Sequence, residues 1–375
     1  MIINILTSRY PTVDDIYAHG FVHSRAVALS KLGYNVQVFV PALKKNTYFF
    51  SGIKVNEMPS IDIVKSLGDC VCYFHLLNIY PSKKLSGWPI YKYVLKNRVP
   101  SVFYIHGSEV QKTSARQFDS YSGLRNAFVK IYKDFVFIPR IKKFLSDLEL
   151  FGAVATPSRW MLGEAEAQLN LEFKSFNIIP NGIDCNHFHF NPKFEHRHKM
   201  LCIRPLTSTK YAVDQAILFL SKLPKEFTLD IYGKGPLKCE LMQLVEMLGL
   251  SDRVKFVEKF VEHSKLPSLL DNYGCFLSTT RMDAQGVMMC EAMASGKLVV
   301  SSKNTAIPEF VCNGSTGILI DDELKADDFK IFIEDENKYN SIVENSRISM
   351  LKIDHIAIAK EEGQLLLSVY TKFSS

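Results

Sequence analysis

Short apolar runs and helix-spaced apolar positions alternate along almost the whole chain. Ile2–Leu6 reads as a buried strand. Phe21–Leu32 then carries Val22, Ala26, Leu29 and Leu32 at helical spacing, Gly33 stops that helix, and Val36–Val40 starts a second strand. Cys70–Phe74 and Val102–His106 predict two more buried strands, each running into a polar residue. In the second half Leu201–Arg204, Thr228–Tyr232, Val254–Val257, Cys275–Ser278, Leu298–Ser301 and Gly317–Ile320 repeat the pattern, and helical stretches such as Pro236–Leu248 follow several of them. Strand–helix alternation of this kind predicts parallel sheets covered on both faces. A length of 375 residues is enough for two domains with separate cores. Pro180-Asn181-Gly182 and the polar stretch His187–Lys199 mark the boundary. The expectation is an α/β chain of two doubly wound domains, 1–183 and 184–355, with a last helix at 356–375 packing back on the first. Ligands of such sheets bind beyond the carboxyl ends of the strands, so two domains facing a central cleft suit two substrates.

Composition narrows the class. With 47% hydrophobic and 22% charged residues, the chain is neither disordered nor collagen-like. Its net charge of +6 is too small for a protein that coats nucleic acid. That charge is local: Val110–Leu145 holds eight basic residues (Lys112, Arg116, Arg125, Lys130, Lys133, Arg140, Lys142, Lys143) against Asp119 and Asp134, an excess equal to that of the whole chain. Eight scattered cysteines without a Cys-x-x-Cys pair read as reduced thiols of the cytosol. MIINILTSRY lacks the basic start and cleavage site of a signal peptide. No apolar stretch is long enough to span a membrane, and the expected location is the cytoplasm, with peripheral attachment to the inner face of the plasma membrane left open.

The most informative stretch is STTRMDAQGVMMCEAMASGKLVVSS, Ser278–Ser302. A strand ends at Ser278 and a helix begins near Gly286, so the N–H groups of Gly286, Val287 and Met288 stand at a helix start, where phosphate or sugar oxygens bind readily. Asp283 precedes the helix and Glu291 lies inside it, placed to accept two hydrogen bonds from a ribose. Taken as residues alone, the stretch fits equally a capped helix with Asp283 as its N-terminal charge and Glu291 solvated. His187, His189, His196 and His198 form two His-x-His pairs but lack suitably spaced further ligands, so no metal site is expected. No P-loop, dinucleotide fingerprint or Gly-x-Ser-x-Gly elbow is present.

This stretch resembles the signature of family 4 glycosyltransferases, retaining enzymes of the GT-B fold. Their pattern is an acidic residue, seven others, then Glu and Ala-Met-Ala-x-Gly. Here Asp283 stands where most members have Glu, and Glu291 is the second acid. IRPLTSTKY places Arg204 and Lys210 after the first strand of the second domain, where the family holds the donor pyrophosphate. PNGID (180–184), DIYGKGPL (230–237) and TAIPEFVCNGSTGIL resemble further family segments, the last with Thr305 and Ala306 in place of two glycines ahead of Pro308 and Glu309. In the first domain, His106 of HGSE falls where the family has a cleft histidine near the donor sugar, and Asp14, Asp15 and His19 lie in the loop that faces the acceptor.

The resemblance implies a GT-B chain of two Rossmann-like domains, a glycosyltransferase of hexosyltransferase type. It would move a sugar from a nucleoside-diphosphate donor to a glycan or lipid-linked acceptor, in bacterial surface polysaccharide synthesis. His106 and Asp283 would be catalytic, and Arg204, Lys210, Gly286, Val287, Met288 and Glu291 would hold the donor. Neither a cofactor nor a metal is implied, because Arg204 and Lys210 supply the countercharge. Two alternatives stay open: another GT-B enzyme such as a nucleotide-sugar epimerase, and a non-catalytic partner of a transferase complex. The basic segment Val110–Leu145, with Phe128, Ile131, Tyr132, Phe135, Val136 and Ile138 interleaved, reads either as an amphipathic helix with a solvated basic face or as a docking surface for an anionic membrane.

Overall fold

The chain folds into two units in a computed structural model that describes residues 1–15, 18–116, 118, 124–259, 261–320 and 326–373. One unit comprises 1–117, 121–182 and 355–375, and the other 118–120 and 183–354.

The first unit is built on eight strands: β1 (Ile2–Thr7), β2 (Asn35–Pro41), β3 (Asn46–Phe50), β4 (Ile53–Met58), β5 (Val71–His75), β6 (Ser101–Tyr104), β7 (Gly152–Thr156) and β8 (Phe176–Ile178). Their order is β3-β4-β2-β1-β5-β6-β7-β8. All neighbours pair in parallel except β3 and β4, an edge hairpin closed by Ser51 and Gly52, both at positive φ (47° and 82°). Two left-handed residues in succession make the tight turn whose twist matches a hairpin. The expectation of wholly parallel sheets is corrected here, and β7 and β8 are strands that the apolar pattern did not mark. Strand β6 stops at Tyr104, so His106 lies in the following loop, where Gly107 (φ 124°) turns the chain and Glu109 accepts a hydrogen bond from the His106 N–H.

The second unit has β9 (Lys199–Ile203), β10 (Thr228–Tyr232), β11 (Val254–Val257), β12 (Cys275–Ser278), β13 (Leu298–Ser302) and β14 (Ile318–Ile320), all parallel, in the order β11-β10-β9-β12-β13-β14. Successive side chains of a strand point to opposite faces. Met200 and Cys202 join one core with Leu277 and Val300, whereas Leu201, Phe276 and Val299 join the other. Two buried faces explain why the central strands β9, β12 and β13 read as largely apolar runs.

Within Val110–Leu145, residues 117 and 119–123 and the side chain of Arg125 lie outside the described residues. Pro139 does not end the helical run there. Leu124–Tyr132 continues through a π-helical turn, Lys133–Phe137, into Ile138–Leu148. In an uninterrupted α-helix the Pro139 ring would meet the carbonyl of Phe135; the wider turn relieves that clash. No described helix is long and apolar enough to cross a membrane.

The last helix, His355–Phe373, packs against the helix Gly20–Lys31 of the first unit. The contact is held by a buried ion pair between Arg25 and Glu362. Arg25 also donates from Nη1 to Asn181 Oδ1 (2.7 Å) and lies 4.0 Å over the Tyr104 ring, while Tyr73 donates to Glu362 Oε1 (3.0 Å). Removing one partner of a buried pair strands the other charge, at about 3–5 kcal/mol, whereas replacing both by apolar groups is often neutral. Arg25→Ala should therefore lower the urea-unfolding free energy of the chain by about that amount, and Arg25→Met combined with Glu362→Leu should recover most of it. A loss below about 1 kcal/mol for Arg25→Ala would contradict the role given to the pair.

Candidate functional site

The strand order of the second unit changes direction between β9 and β12, where the chain moves out to β10 and β11 on one side and to β13 and β14 on the other. Side chains at the carboxyl ends of the two central strands meet at such a switch point. Arg204, just after β9, donates from Nη2 to Ser278 Oγ at the end of β12 (2.7 Å). Its Nη1 lies 3.7 Å from Asp283 Oδ2. The residue is only 8% exposed, and its Nε–H is buried with no hydrogen-bond partner. A guanidinium that is desolvated and incompletely paired attracts an anion.

Lys210 stands beside it on the short turn Thr209–Tyr211. The Tyr211 ring has the Arg204 guanidinium 5.7 Å and the Lys210 ammonium 5.8 Å from its centre. The turn is pinned by Arg281, which donates from its backbone to Lys210 O (2.8 Å), from Nη1 to Thr209 O (2.6 Å), and as a fork to the Asp214 carboxylate. Arg204 is also placed by a glycine: a Cβ on Gly233 would lie 2.0 Å from the Arg204 carbonyl, so only glycine lets the loop after β10 pass there.

Asp283 joins three segments. Its Oδ1 accepts from Gln285 N (3.2 Å) and Gly286 N (2.9 Å), its N–H donates to Thr305 Oγ1 (3.2 Å), and its carbonyl accepts from Ala306 N (3.3 Å). One expectation is corrected. The Gly286 N–H is occupied by Asp283, because an aspartate three residues ahead of a left-handed Gly286 (φ 76°) closes a side-chain turn. The Ala306 N–H is likewise taken by Asp283 and is not presented to a ligand. The amides of Val287 and Met288 open the helix Val287–Ala294, where a helix offers no carbonyl of its own to its first turn.

Glu291, in the second turn of that helix, is nearly buried, and its Oε1 is bonded to His263 Nε2 at 2.9 Å. It is not simply solvated. The hydrogen bond and the carboxylate charge raise the His263 pKa above its ordinary value. Nothing in the sequence marked His263, and Ser278 was marked only as a strand end; their bonds to Glu291 and Arg204 arise through the folding of distant segments. Among the described residues no group of three or more His, Cys, Asp or Glu side chains could hold a metal.

In the first unit, the carboxyl ends of β1, β5 and β6 gather three imidazoles. His19 Nδ1 is 2.9 Å from Thr7 Oγ1, His75 Nδ1 is 3.0 Å from His106 Nε2, and the Phe21 ring lies 4.7 Å from that of His106. Burial, with Arg25 close by, pushes His75 and His106 well below the ordinary histidine value, and His19 falls to about 4. His106 is therefore a neutral hydrogen-bonding group at pH 7 and not a stored proton. Asp14 and Asp15 stand exposed on the loop, where Asp15 N donates to Thr12 Oγ1 (3.0 Å), and residues 16 and 17 beyond them lie outside the described residues.

Glu109, buried beneath His106, is raised by desolvation from 4.5 to about 7. Between those values the folded chain binds a proton that the unfolded chain releases, so this group makes stability fall as pH rises from about 4.5 to 7. Glu109→Gln should remove that slope. Its urea midpoint relative to wild type should be higher at pH 7.5 than at pH 5, and an equal offset at both pH values would show that Glu109 is ionised throughout.

Residues 186–349 match the family model for glycosyl transferases group 1. The chain is 30% identical over 125 residues to N-acetyl-alpha-D-glucosaminyl L-malate synthase of Bacillus anthracis, a match covering 32% of either protein. It is 32% identical over 139 residues to the lipopolysaccharide core biosynthesis mannosyltransferase LpsB of Rhizobium meliloti, covering 35% of this chain and 37% of that one. The matched segments thus span about a third of these relatives' length. Among solved structures, HepE of Anabaena in complex with UDP is similar with a TM-score of 0.72 at 17% identity, over 98% of this chain and 99% of that one. The chain accordingly matches the group 1 glycosyltransferase model over residues 186–349 and has the GT-B fold.

Proposed function

We propose that this chain is a retaining glycosyltransferase of hexosyltransferase type that takes its sugar from a nucleoside-diphosphate donor and delivers it to a glycan or lipid-linked saccharide, in the building of a bacterial surface polysaccharide. The observation that carries the reading is Arg204: a buried guanidinium at the switch point, with an unpartnered N–H and a second cation, Lys210, across the same tyrosine ring. Two cations so held suit a diphosphate. The names of the relatives support a sugar donor, and the HepE complexes with UDP and with UDP-glucose favour a uridine nucleotide.

In the proposed reaction the bond from the anomeric carbon to the diphosphate oxygen breaks while the acceptor oxygen bonds to that carbon on the same face. The acceptor proton passes to the departing phosphate oxygen, so no protein base is required. Arg204 and Lys210 neutralise the charge that grows on the leaving diphosphate, which makes positioning and electrostatics the main contributions of the protein. Val287 and Met288 offer N–H groups to the donor, Glu291 accepts from the ribose, and Asp283 Oδ2 and a neutral His106 face the sugar. Asp14, Asp15 and His19 belong to the acceptor side. The reading requires no metal.

The test is turnover of UDP-, GDP- and ADP-sugars with a panel of glycan and lipid-linked acceptors, followed by NMR of the linkage formed. The product should keep the donor's anomeric configuration, activity should survive excess chelator, and Arg204→Ala should lower kcat/KM by about 10–150-fold, the worth of a charge-assisted contact. An inverted product, or an unaffected Arg204→Ala, would overturn the reading.

A second reading concerns where the chain works. The helical run from Leu124 leaves Phe128, Ile131 and Phe135 exposed (62%, 59% and 76%) at positions that share one face, with Lys130 and Lys133 interleaved. Further along, Lys143 pairs with Asp147 (2.9 Å) and Arg140 lies over Trp88 (5.3 Å). We propose that this face docks on an anionic membrane, its apolar groups entering the interface and each lysine adding about 1 kcal/mol. The chain should sediment with phosphatidylglycerol vesicles but not with phosphatidylcholine ones, and 1 M salt should weaken the attachment by shortening the Debye length to about 3 Å. Replacing Phe128, Ile131 and Phe135 by Ser should abolish it; equal recovery of wild type and this variant would refute the assignment.

A further inference from the structure

Glu291 is the one carboxylate of the donor site whose orientation comes from a residue outside the family signature. Its Oε1 receives a hydrogen bond from His263 Nε2 (2.9 Å), and the His263 ring is itself seated. The His187 ring stacks on it (5.2 Å between centres, 21° between planes), and the fully buried Phe188 meets it edge-on (5.2 Å, 82°). His187 Nε2 closes the arrangement by bonding the His263 carbonyl at 3.0 Å. We infer that His263, held by His187 and Phe188, is a positioning residue that aims Glu291 at the nucleoside of the donor, an inference that rests on the donor-site reading above.

A carboxylate offers about four lone-pair directions. His263 uses one of them on Oε1, which leaves both directions of Oε2 for two neighbouring hydroxyls of a ribose. Without the imidazole, Glu291 would be free to rotate about its side-chain bonds, and that freedom would be lost on each binding event. The His263 side chain is 55% exposed, so its role is not core packing, and removing it leaves the unit's core untouched.

The same bond ties the site to pH. Glu291 and Asp184 are the anions facing the ring, His187 stacks on it, and on its own turn Glu262 and Lys265 pair with each other (3.1 Å). A protonated His263 offsets the Glu291 charge next to an anionic donor and makes the hydrogen bond charge-assisted. Donor binding should accordingly be tighter at pH 6 than at pH 8.

The experiment is calorimetric titration of the full-length protein with UDP, GDP and ADP, using the tightest binder for all variants, together with steady-state kinetics. His263→Ala should weaken nucleotide binding and raise donor KM by about 10-fold, with kcat changed far less. His263→Gln, which restores a donor at about the same reach, should recover most of the loss but not the pH dependence. In the background of Glu291→Gln, His263→Ala should add nothing, because its only route to the ligand has gone. If Glu291→Gln weakens binding while His263→Ala binds as wild type, or if the two losses add in full, the inference fails and the donor site stands. If Arg204→Ala and Glu291→Gln both bind nucleotide as wild type does, the donor site itself is wrong and the inference falls with it.

Discussion

Burying a guanidinium in a protein interior is expensive unless every part of its charge is answered, and each unit of this chain buries one at the carboxyl end of its sheet. Arg25 is answered within the chain by the Glu362 carboxylate, the Asn181 amide and the face of Tyr104, and its Nη2 is buried without a hydrogen-bond partner. It therefore acts as a clasp, and what it clasps is the last helix, returned across 337 positions of sequence. Arg204 likewise keeps one buried nitrogen, Nε, without a partner, but its carboxylate stands farther off: it has one hydroxyl at 2.7 Å and Asp283 Oδ2 at 3.7 Å. The same chemical group is clamped by a carboxylate in one unit and held more loosely in the other, and the difference is how closely the fold brings the carboxylate.

Around Arg204 the protein spends polar groups on holding loops and leaves few of them idle. Asp283 illustrates this. Its carboxylate and its peptide bind the start of one helix and the turn after β13, so it closes the switch point as well as facing Arg204. A longer acid at that position would reach further toward a ligand but would not close the same three-residue turn on Gly286. The shorter Asp283 ties rigidity and chemistry to one side chain.

The strand ends of the first unit follow the opposite electrostatic logic. Three imidazoles crowd together, and desolvation keeps them neutral, helped by Arg25 at His75 and His106 and by Arg9 at His19. Beneath them, Glu109 is held toward its protonated form by burial. The result is a cluster of imidazoles able to exchange hydrogen bonds without themselves carrying charge at pH 7.

How much of this was legible depends on how local each feature is. Residues buried on both faces of a parallel sheet leave unbroken apolar runs, which is why Cys275–Ser278 could be read to the residue, whereas Thr228–Tyr232 and Val254–Val257, toward one sheet edge, could be read from alternating apolar and polar positions. The edge hairpin β3–β4 could not, since its outer strand is largely exposed and its turn depends on two left-handed residues. The helix start at Gly286 and the eight-residue interval from Asp283 to Glu291 are local and were visible in the sequence. What each side chain bonds was not. Arg204 meets Ser278 across 74 positions, Glu291 meets His263 across 28 and Arg25 meets Glu362 across 337, all through strand order and helix packing. The sequence by itself determined the strands, the helices and the residue types offered at their ends, because short-range sterics and burial set those. Only the tertiary structure decided which donors were already taken, as at Gly286 and Ala306, and how close a carboxylate came to each buried cation, because hydrogen-bond satisfaction belongs to the assembled interior and to no single segment.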